Sequence, residues 1–310
     1  MTTPLTPLST ANLKPSSFKA YLLAARPKTL LAGQSPIFLG VVVAIVFSDS
    51  FKPLIAALTL LCTLLMQVGT NYVNDAVDGE SGLDTNERLG PARAVQQGWL
   101  TIKQMKQGYL VCFATAFLIG LYLTYASGGV AIFVMGLIGL IAAYIYSAGP
   151  FPLSRMALGE VTAFIFFGPF ATVGAHYLQT NIWSREAFML GLIPGLGAAA
   201  LMAINNFRDR ETDAKAQRKT LATLLTEKQA RALPLVFILN ANLIVILLSV
   251  AYQEAFLLLG LIAPFIFLKP GINLAKTTTG RELNRSLQAA GALIFVQTVL
   301  MSLGLMIGSL

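Results

Sequence analysis

The chain has 310 residues, of which 55% are hydrophobic and only 12% are charged, and its net charge is +8. Soluble domains are about one-quarter charged, so this composition, with its repeated apolar runs of membrane-crossing length, excludes an ordinary soluble domain and indicates an integral membrane protein. The excess of Lys and Arg is explained by loops on the cytosolic side of a membrane, and we expect no nucleic-acid partner. Cys62 and Cys112 both lie in apolar runs and predict neither a disulfide nor a metal site.

The first 24 residues are predicted to be a disordered tail, because residues 2–17 are rich in Pro, Ser and Thr. The first apolar run follows about 28 mostly polar residues, and it is too long for the apolar core of a signal peptide. It should therefore remain as a membrane anchor. From residue 25 to residue 310 we predict a single transmembrane domain.

Nine apolar windows follow, and each predicts a transmembrane helix, which makes the fold class an all-α integral membrane protein. The second and sixth spans end in similar acidic motifs four helices apart. This suggests two related four-helix units, at about 25–148 and 157–270, and a ninth helix at 288–309. The predicted spans are 29–48, 53–73, 108–126, 129–147, 157–178, 187–205, 234–252, 254–269 and 288–309.

The basic residues predict the orientation of these spans. If the N-terminus is cytoplasmic, all but two of the 22 Lys and Arg residues fall in cytosolic segments, and only Lys52 and Arg185 face the other side. The two long connections, about 75–107 and 206–233, then both lie on the cytosolic face. We therefore expect the active site at the cytoplasmic side of a bacterial plasma (inner) membrane.

Each long connection begins with an acidic motif in helical register and continues with a basic stretch. Side chains three or four residues apart on a helix are neighbours, so the carboxylates of one motif repel one another unless a cation lies between them. The first acidic motif (residues 71–78) places Gln67, Asn71, Asp75 and Asp78 on one face, and the second (residues 205–213) places Asn205, Asp209 and Asp213 on another.

This pattern predicts a site for magnesium and a diphosphate. Mg²⁺ prefers oxygen ligands and is usually shared between one or two carboxylates and the phosphates of a substrate. Guanidinium and ammonium groups bind the remaining phosphate oxygens. The predicted catalytic and metal-binding carboxylates are Asp75, Asp78, Asp209 and Asp213, and the predicted amide ligands are Asn71, Asn74 and Asn205. The predicted diphosphate-binding residues are Arg88, Arg93, Arg208, Lys215, Lys219 and Lys28.

Other interpretations of the acidic motifs stay open. Asp and Asn at helix ends are often caps, and acidic clusters in loops are often only solvated. A calcium loop is a third interpretation, although the spacing of an EF-hand is absent. Two motifs at matching ends of parallel spans favour a shared site. His176 is expected to be a packed or interfacial residue, whereas Glu160, just inside a span, indicates either a site role or simple interfacial placement.

Four stretches carry a resemblance to a known family. They are ARPKTLLAGQSPIFLG (25–40), NYVNDAVDGESGLDTNERLGPARAVQQG (71–98), YSAGPFPLSRMALGE with FFGP (146–169) and NNFRDRETDAKAQRKTLA (205–222). These stretches occur in the same order in the UbiA superfamily of intramembrane prenyltransferases, which the chain resembles. The continuation GPAR after the first acidic motif is similar to the motif of the branch that acts on 1,4-dihydroxy-2-naphthoate. Two departures are Phe151, in place of a commonly polar residue, and Gln217-Arg218-Lys219, where a Gly-Lys pair is usual.

The resemblance implies nine helices around a central cavity that opens laterally to membrane lipid. It implies Mg²⁺-dependent transfer of a polyprenyl group from polyprenyl diphosphate to 1,4-dihydroxy-2-naphthoate. The ring carbon that bears the carboxylate attacks, and CO₂ and diphosphate are lost to give demethylmenaquinone, in its reduced quinol form, for menaquinone biosynthesis. Supporting roles toward the metal, the cation or the acceptor ring are expected for Asp84, Tyr146 and Glu160.

Two alternative functions are kept open. The same chemistry suits another aromatic acceptor, such as 4-hydroxybenzoate, homogentisate or a haem precursor. A secondary transporter is the alternative from another class. Transporter sites lie near the bilayer midplane in broken helices, whereas the ionisable residues of this chain collect at the predicted cytosolic edge, which favours the enzyme.

Overall fold

The structure is a computed structural model that describes residues 14–80, 89–90, 92–127, 129–276 and 280–310, with Lys28 described by its backbone alone. Regular structure in these ranges is helical, without a strand. Short 3-10 helices cover Leu153–Arg155, Ala255–Ile262 and Gly280–Glu282. The α-helices are α1 (Ser17–Ala24), α2 (Pro27–Ser48), α3 (Pro53–Glu80), α4 (Ile102–Ser127), α5 (Val130–Ile145), α6 (Gly159–Phe166), α7 (Pro169–Thr180), α8 (Arg185–Arg208), α9 (Arg210–Lys215), α10 (Leu221–Leu224), α11 (Glu227–Ala251), α12 (Pro264–Lys276) and α13 (Leu283–Gly308).

Seven helical segments of the described chain are long and apolar enough to cross a membrane. An eighth span results if the 3-10 helix Ala255–Ile262 and α12, which are bent by 42° at their junction, are counted together. The prediction of an all-α integral membrane protein is therefore confirmed, while the count of nine is not confirmed. The difference lies at α5, whose 16 residues are fewer than the about 20 that a straight helix needs to cross a bilayer.

Helix α1 lies within the segment that was predicted to be a disordered tail. Ser16 caps this helix by accepting a hydrogen bond from the amide of Lys19. The Tyr21 hydroxyl donates to the carbonyl of Gln104 at 2.9 Å. Buried alanines of α1 pack with residues of α3 in one apolar cluster. These tertiary contacts order residues 17–24, and composition alone could not reveal them; residues 1–13 lie outside the described chain.

The predicted span at 157–178 is formed by two helices, α6 and α7, which meet at Gly168. Pro169 occupies the first position of α7, where its missing amide hydrogen is not needed. A side chain at Gly168 would collide with the carbonyl of Phe164 and the backbone of Gly195. Glycine is therefore required here, because α6 and α7 approach the backbone of α8 closely.

The core of the bundle is centred on α8, which contacts α2, α7, α11 and α13. One buried cluster joins Leu39, Leu190, Val245 and Met301 from four of these helices. His176 is buried as predicted, with a ring nitrogen 3.3 Å from Ser48 Oγ. Apolar side chains that remain exposed suit contact with lipid, and they include Leu110, Val111, Leu118, Tyr125, Leu239 and Val250.

Candidate active site

A cavity of about 790 Å³ lies inside the bundle, between α2, α3, α4, α5, α6, α7, α8 and α13. Its volume is typical of a ligand site. At one end it is bordered by side chains of both acidic motifs, and the rest of its wall is mainly apolar. The cavity therefore suits a largely apolar ligand with a polar head. The apolar wall includes Met66, Phe117, Leu121, Leu137, Phe166, Phe170 and Leu178.

Helix α3 brings the first acidic motif to the polar end of the cavity. The side chains that line it recur every three to four residues and fall within about 60° of arc on the helix. Asn71 Nδ2 donates to the carbonyl of Ala25 at 2.9 Å, which leaves its amide oxygen for another partner. Ser147 donates to Asn74 Oδ1 at 2.7 Å. The lining residues of this face are Gln67, Asn71, Asn74 and Asp78.

Asp75 lies about 70° away from the centre of that face, and it does not line the cavity. Its carboxylate is buried and accepts the backbone N–H groups of Ala94, at 2.8 Å, and Val95, at 3.1 Å. Asp75 thereby holds the turn that follows the first acidic motif. Its role as a metal ligand stays a prediction.

Arg208 organises the second acidic motif at the end of α8. Its guanidinium makes a two-point contact with Asp209, through Nε at 2.8 Å and Nη2 at 2.6 Å. It also donates to Asn205 Oδ1 and to Asn284 Oδ1, each at 2.9 Å. Arg208 is only 5% exposed. Because four hydrogen bonds fix it, the backbone that carries Asn205 and Asp209 is held against α13.

Arg218 joins the two acidic motifs. Its Nη2 donates to Asp78 Oδ1 at 2.7 Å, and its Nη1 lies 3.8 Å from Asp213 Oδ1. Asp78 also forms an ion pair with Arg93. Carboxylates from α3 and α9, 135 residues apart in the chain, therefore meet across one guanidinium at the mouth of the cavity.

The carboxylates at this end lie close enough together to influence one another's pKa. Burial raises the pKa of Asp213 to about 6; the nearby Asp209 and Asp78 also raise it, while Arg218 and Arg208 lower it. In the described chain, no three His, Cys, Asp or Glu side chains form a group that could hold a metal on its own. The oxygen donors nevertheless fit Mg²⁺, which takes one or two carboxylates from the protein and its other ligands from phosphate and water.

The other predicted diphosphate-binding residues are placed unequally. Arg93 and Arg208 line the cavity. Lys215 and Lys219 are exposed and do not line it, and the carbonyl of Lys219 instead accepts a 2.8 Å hydrogen bond from the amide of Ala157. Among the described side chains of this predicted set, the structure therefore brings Arg93 and Arg208 to the cavity. Predicted residues outside the described part of the chain are Asp84, Arg88 and the side chain of Lys28.

The two described residues predicted to support the acceptor lie close together. Tyr146 lines the cavity, and its hydroxyl is 3.3 Å from the sulfur of Met202. Glu160, only 2% exposed, lies behind the wall and accepts a 3.0 Å hydrogen bond from Asn206 Nδ2. Glu160 therefore reaches the cavity only through Asn206, which does line it.

Sequence reasoning did not assign a site role to Asn206, Arg218 or Asn284, all of which line the cavity. Asn284 begins α13, accepts from Arg208 and donates to the carbonyl of Leu89 at 2.9 Å. It thus connects the loop after the first acidic motif to the second. An amide at the start of an apolar span was a usable signal, and so was the departure from the Gly-Lys pair at Arg218.

Comparison with known sequences finds a match between residues 35–299 and the UbiA prenyltransferase family. The chain is 32% identical to the 1,4-dihydroxy-2-naphthoate octaprenyltransferase of Haemophilus influenzae, over 94% of this chain and 96% of that protein. It is 29% identical to the enzyme of the same name from Mycobacterium tuberculosis, over 95% of this chain and 99% of that protein.

Solved structures share the fold. A UbiA homolog from Archaeoglobus fulgidus bound to DMAPP and Mg²⁺ matches with a TM-score of 0.59 at 16% identity, over 91% of this chain and 99% of that chain. The apo structure of a UbiA homolog from Aeropyrum pernix matches with a TM-score of 0.65 at 14% identity, over 91% of this chain and 98% of that chain. At these identities the likeness concerns the fold alone.

Proposed function

The chain belongs to the UbiA prenyltransferase family, and on that premise we propose that it transfers a polyprenyl group from polyprenyl diphosphate to 1,4-dihydroxy-2-naphthoate. CO₂ and diphosphate are the other products, and the step serves menaquinone biosynthesis. The observation that carries the proposal is the bridge of Arg218 between Asp78 and Asp213, which brings both acidic motifs to one cavity. The names of the relatives support the choice of acceptor.

The metal-binding residues in this proposal are Asp78, Asp209 and Asp213, with amide oxygens from Asn74 and Asn205. All five line the polar end of the cavity, and their donors are the oxygens that Mg²⁺ prefers. When bound, Mg²⁺ supplies positive charge that makes diphosphate a better leaving group. Asp75 supports this arrangement from behind, because it holds the turn at Ala94 through backbone hydrogen bonds.

The diphosphate is bound by an arginine cluster, defined as Arg93, Arg208 and Arg218. Guanidinium groups bind phosphate oxygens with paired N–H donors, and these charge-assisted hydrogen bonds are roughly twice as strong as those between neutral groups. The carboxylates that these arginines contact hold them at the polar end of the cavity. The head of the substrate is thereby fixed beside the acceptor.

In this reaction CO₂, and not a proton, leaves the ring carbon that is prenylated. The bond between the prenyl carbon and the diphosphate oxygen breaks, and its electron pair leaves with diphosphate. The ring carbon that bears the carboxylate supplies the pair for the new carbon–carbon bond. The pair of the bond to the carboxylate returns to the ring as CO₂ departs. The ring face of Tyr146 stabilises the allylic cation, and the apolar wall excludes water that would capture it.

The apolar wall also accommodates the prenyl chain, whose tail lies among membrane lipid. With the N-terminus in the cytoplasm, the acidic motifs face the cytosolic side of a bacterial inner membrane, where a water-soluble acceptor reaches them. The one-sided distribution of Lys and Arg supports this orientation.

The test is an assay in membranes with labelled polyprenyl diphosphate, Mg²⁺ and 1,4-dihydroxy-2-naphthoate, scored for prenylated product and released CO₂. We expect product from this acceptor and little from 4-hydroxybenzoate. The Asp78→Asn variant should lose at least about 100-fold in turnover. Glu80→Gln is the matched control, because Glu80 ends the same helix in an ion pair with Lys106 away from the cavity.

Two outcomes would contradict the proposal. Product from 4-hydroxybenzoate without product from the naphthoate would overturn the acceptor. Equal turnover of Asp78→Asn and Glu80→Gln would overturn the placement of the site.

A further inference from the structure

Asn206 presents one defined atom to the cavity. Its Nδ2 donates to Glu160 Oε1 at 3.0 Å, and this is its only side-chain hydrogen bond to a described residue. A carboxylate accepts hydrogen bonds, so the amide must turn its nitrogen toward Glu160. The oxygen Oδ1 is left to accept a hydrogen bond, and Asn206 lines the cavity.

Burial of Glu160 in this position is energetically unfavourable. The residue is 2% exposed, it lies in the first turn of a membrane-spanning segment, and its Oε2 makes no hydrogen bond within the described chain. A buried carboxyl with a free oxygen destabilises a fold unless it serves a function. The contact with Asn206 is the one side-chain hydrogen bond that the described residues give it.

Tyr146 borders the same point of the wall. A methyl group built on Gly159 would lie 3.5 Å from Asn206 Nδ2 and 3.6 Å from the Tyr146 hydroxyl oxygen. That hydroxyl is directed at the sulfur of Met202, a weak acceptor. This part of the wall therefore offers oxygen atoms that accept hydrogen bonds. With Glu160 behind them, it repels a carboxylate and suits a hydroxyl group.

We propose that Asn206 Oδ1 accepts a hydrogen bond from a ring hydroxyl of the aromatic acceptor, and that Glu160 is the positioning residue that turns this oxygen toward the cavity. This inference rests on the proposed function and specifies the acceptor subsite within it. As the ring gives its electron pair to the prenyl carbon, positive charge develops on the 1-hydroxyl, which lies ortho to the attacking carbon, and this is the hydroxyl that Asn206 recognises. The hydrogen bond to Asn206 therefore strengthens in the transition state, and this lowers the barrier.

The test removes each partner of the hydrogen bond in turn, the hydroxyl of the acceptor and the amide of Asn206. Wild-type protein and Asn206→Leu are compared with 1,4-dihydroxy-2-naphthoate, 1-hydroxy-2-naphthoate and 4-hydroxy-2-naphthoate. In wild type, the analogue that lacks the recognised hydroxyl should fall by at least about 10- to 100-fold in kcat/KM, because it loses both the hydrogen bond and the activation of the ring. In Asn206→Leu the kcat/KM of the dihydroxy acceptor should fall by about 10- to 100-fold, and the preference for it over that analogue should shrink by the same factor.

A second pair of variants keeps the proposal testable if Asn206→Leu fails to insert. Glu160→Gln keeps an oxygen that accepts from Asn206, whereas Glu160→Met removes it. We expect Glu160→Met to raise the KM of the acceptor by about tenfold or more, to leave the KM of polyprenyl diphosphate unchanged, and to be rescued largely by Glu160→Gln. Asn240→Leu is the matched control, because Asn240 is an exposed span residue that does not line the cavity.

The outcomes separate this inference from the proposed function. If wild type uses the naphthoate but Asn206→Leu keeps the full preference for the dihydroxy acceptor, or if both Glu160 variants raise the two KM values alike, the subsite is wrong while the enzyme assignment stands. If wild type does not use the naphthoate, the proposed function fails first.

Discussion

Replacement of Arg218 by glutamine removes a side chain that contacts carboxylates from both acidic motifs. The guanidinium is 23% exposed and the Asp78 carboxylate 7%, so their 2.7 Å hydrogen bond is largely shielded from water. A hydrogen bond to a charged group contributes about 1.5–3 kcal/mol. If Arg218 gives an interaction of this strength to diphosphate, its loss lowers kcat/KM for polyprenyl diphosphate by about 10- to 150-fold.

The assay is steady-state prenyl transfer in detergent or membranes, with polyprenyl diphosphate varied at saturating acceptor. Arg218→Lys keeps the charge but loses the paired donors, so its kcat/KM should lie between those of wild type and Arg218→Gln. Lys228→Gln is the control, because Lys228 is an exposed basic residue of the same connection that does not line the cavity.

The reasoning fails if Arg218→Gln and Lys228→Gln have the same kcat/KM for the diphosphate substrate while both are present in the membrane. It also fails if the loss is confined to the KM of the acceptor, because Arg218 would then contact the ring rather than the diphosphate.

Three further predictions follow from single contacts. Asp75→Ala leaves the buried amide of Ala94 without its acceptor and should lower the free energy of unfolding by about 3 kcal/mol or more, measured as faster proteolysis at residues 94–98. Asp75→Asn should keep measurable turnover, and complete loss of turnover in Asp75→Asn would indicate that Asp75 is a metal ligand. Gly33→Ala should insert normally but lower turnover, because the new methyl group displaces the Gln67 amide from its bond to the carbonyl of Thr29; unchanged turnover would show that Gln67 is not needed at the cavity wall. Gln217 has φ 53°, a left-handed backbone conformation that is strained for a residue other than glycine. Gln217→Gly should therefore leave the free energy of unfolding unchanged or raise it by about 1 kcal/mol. A lower free energy of unfolding would show that the backbone at Gln217 is not strained.

The helical spans and the polar face of each acidic motif could be predicted because both are local patterns. Apolar runs define spans, and the positions of Asn71 and Asp78 follow from the helical repeat. The same repeat explains why Asp75, which was predicted to share this face, does not line the cavity. A side chain one position beyond Asn74 points about 100° away, where a backbone turn, and not the cavity, receives it.

The contacts of Arg218 and Asn284 could not be predicted in the same way. Arg218 meets Asp78 across 140 residues, and Asn284 meets Arg208 across 76. Neither spacing leaves a periodic trace in the sequence, because the positions of α13 and of the segment after α9 depend on packing of the whole bundle. The exposed positions of Lys215 and Lys219 have the same origin, since charge alone does not tell which basic side chains of a loop turn inward.

The most direct measurement is a double-mutant cycle on binding of a non-reactive polyprenyl thiodiphosphate in the presence of Mg²⁺. The variants are Asp78→Asn, Asp213→Asn and their combination, with affinity measured by titration of the purified protein. If both motifs hold one diphosphate, the double variant should lose less than the sum of the single losses, with a coupling of about 1 kcal/mol or more. Losses that add within about 0.5 kcal/mol would mean that the two carboxylates act at separate sites.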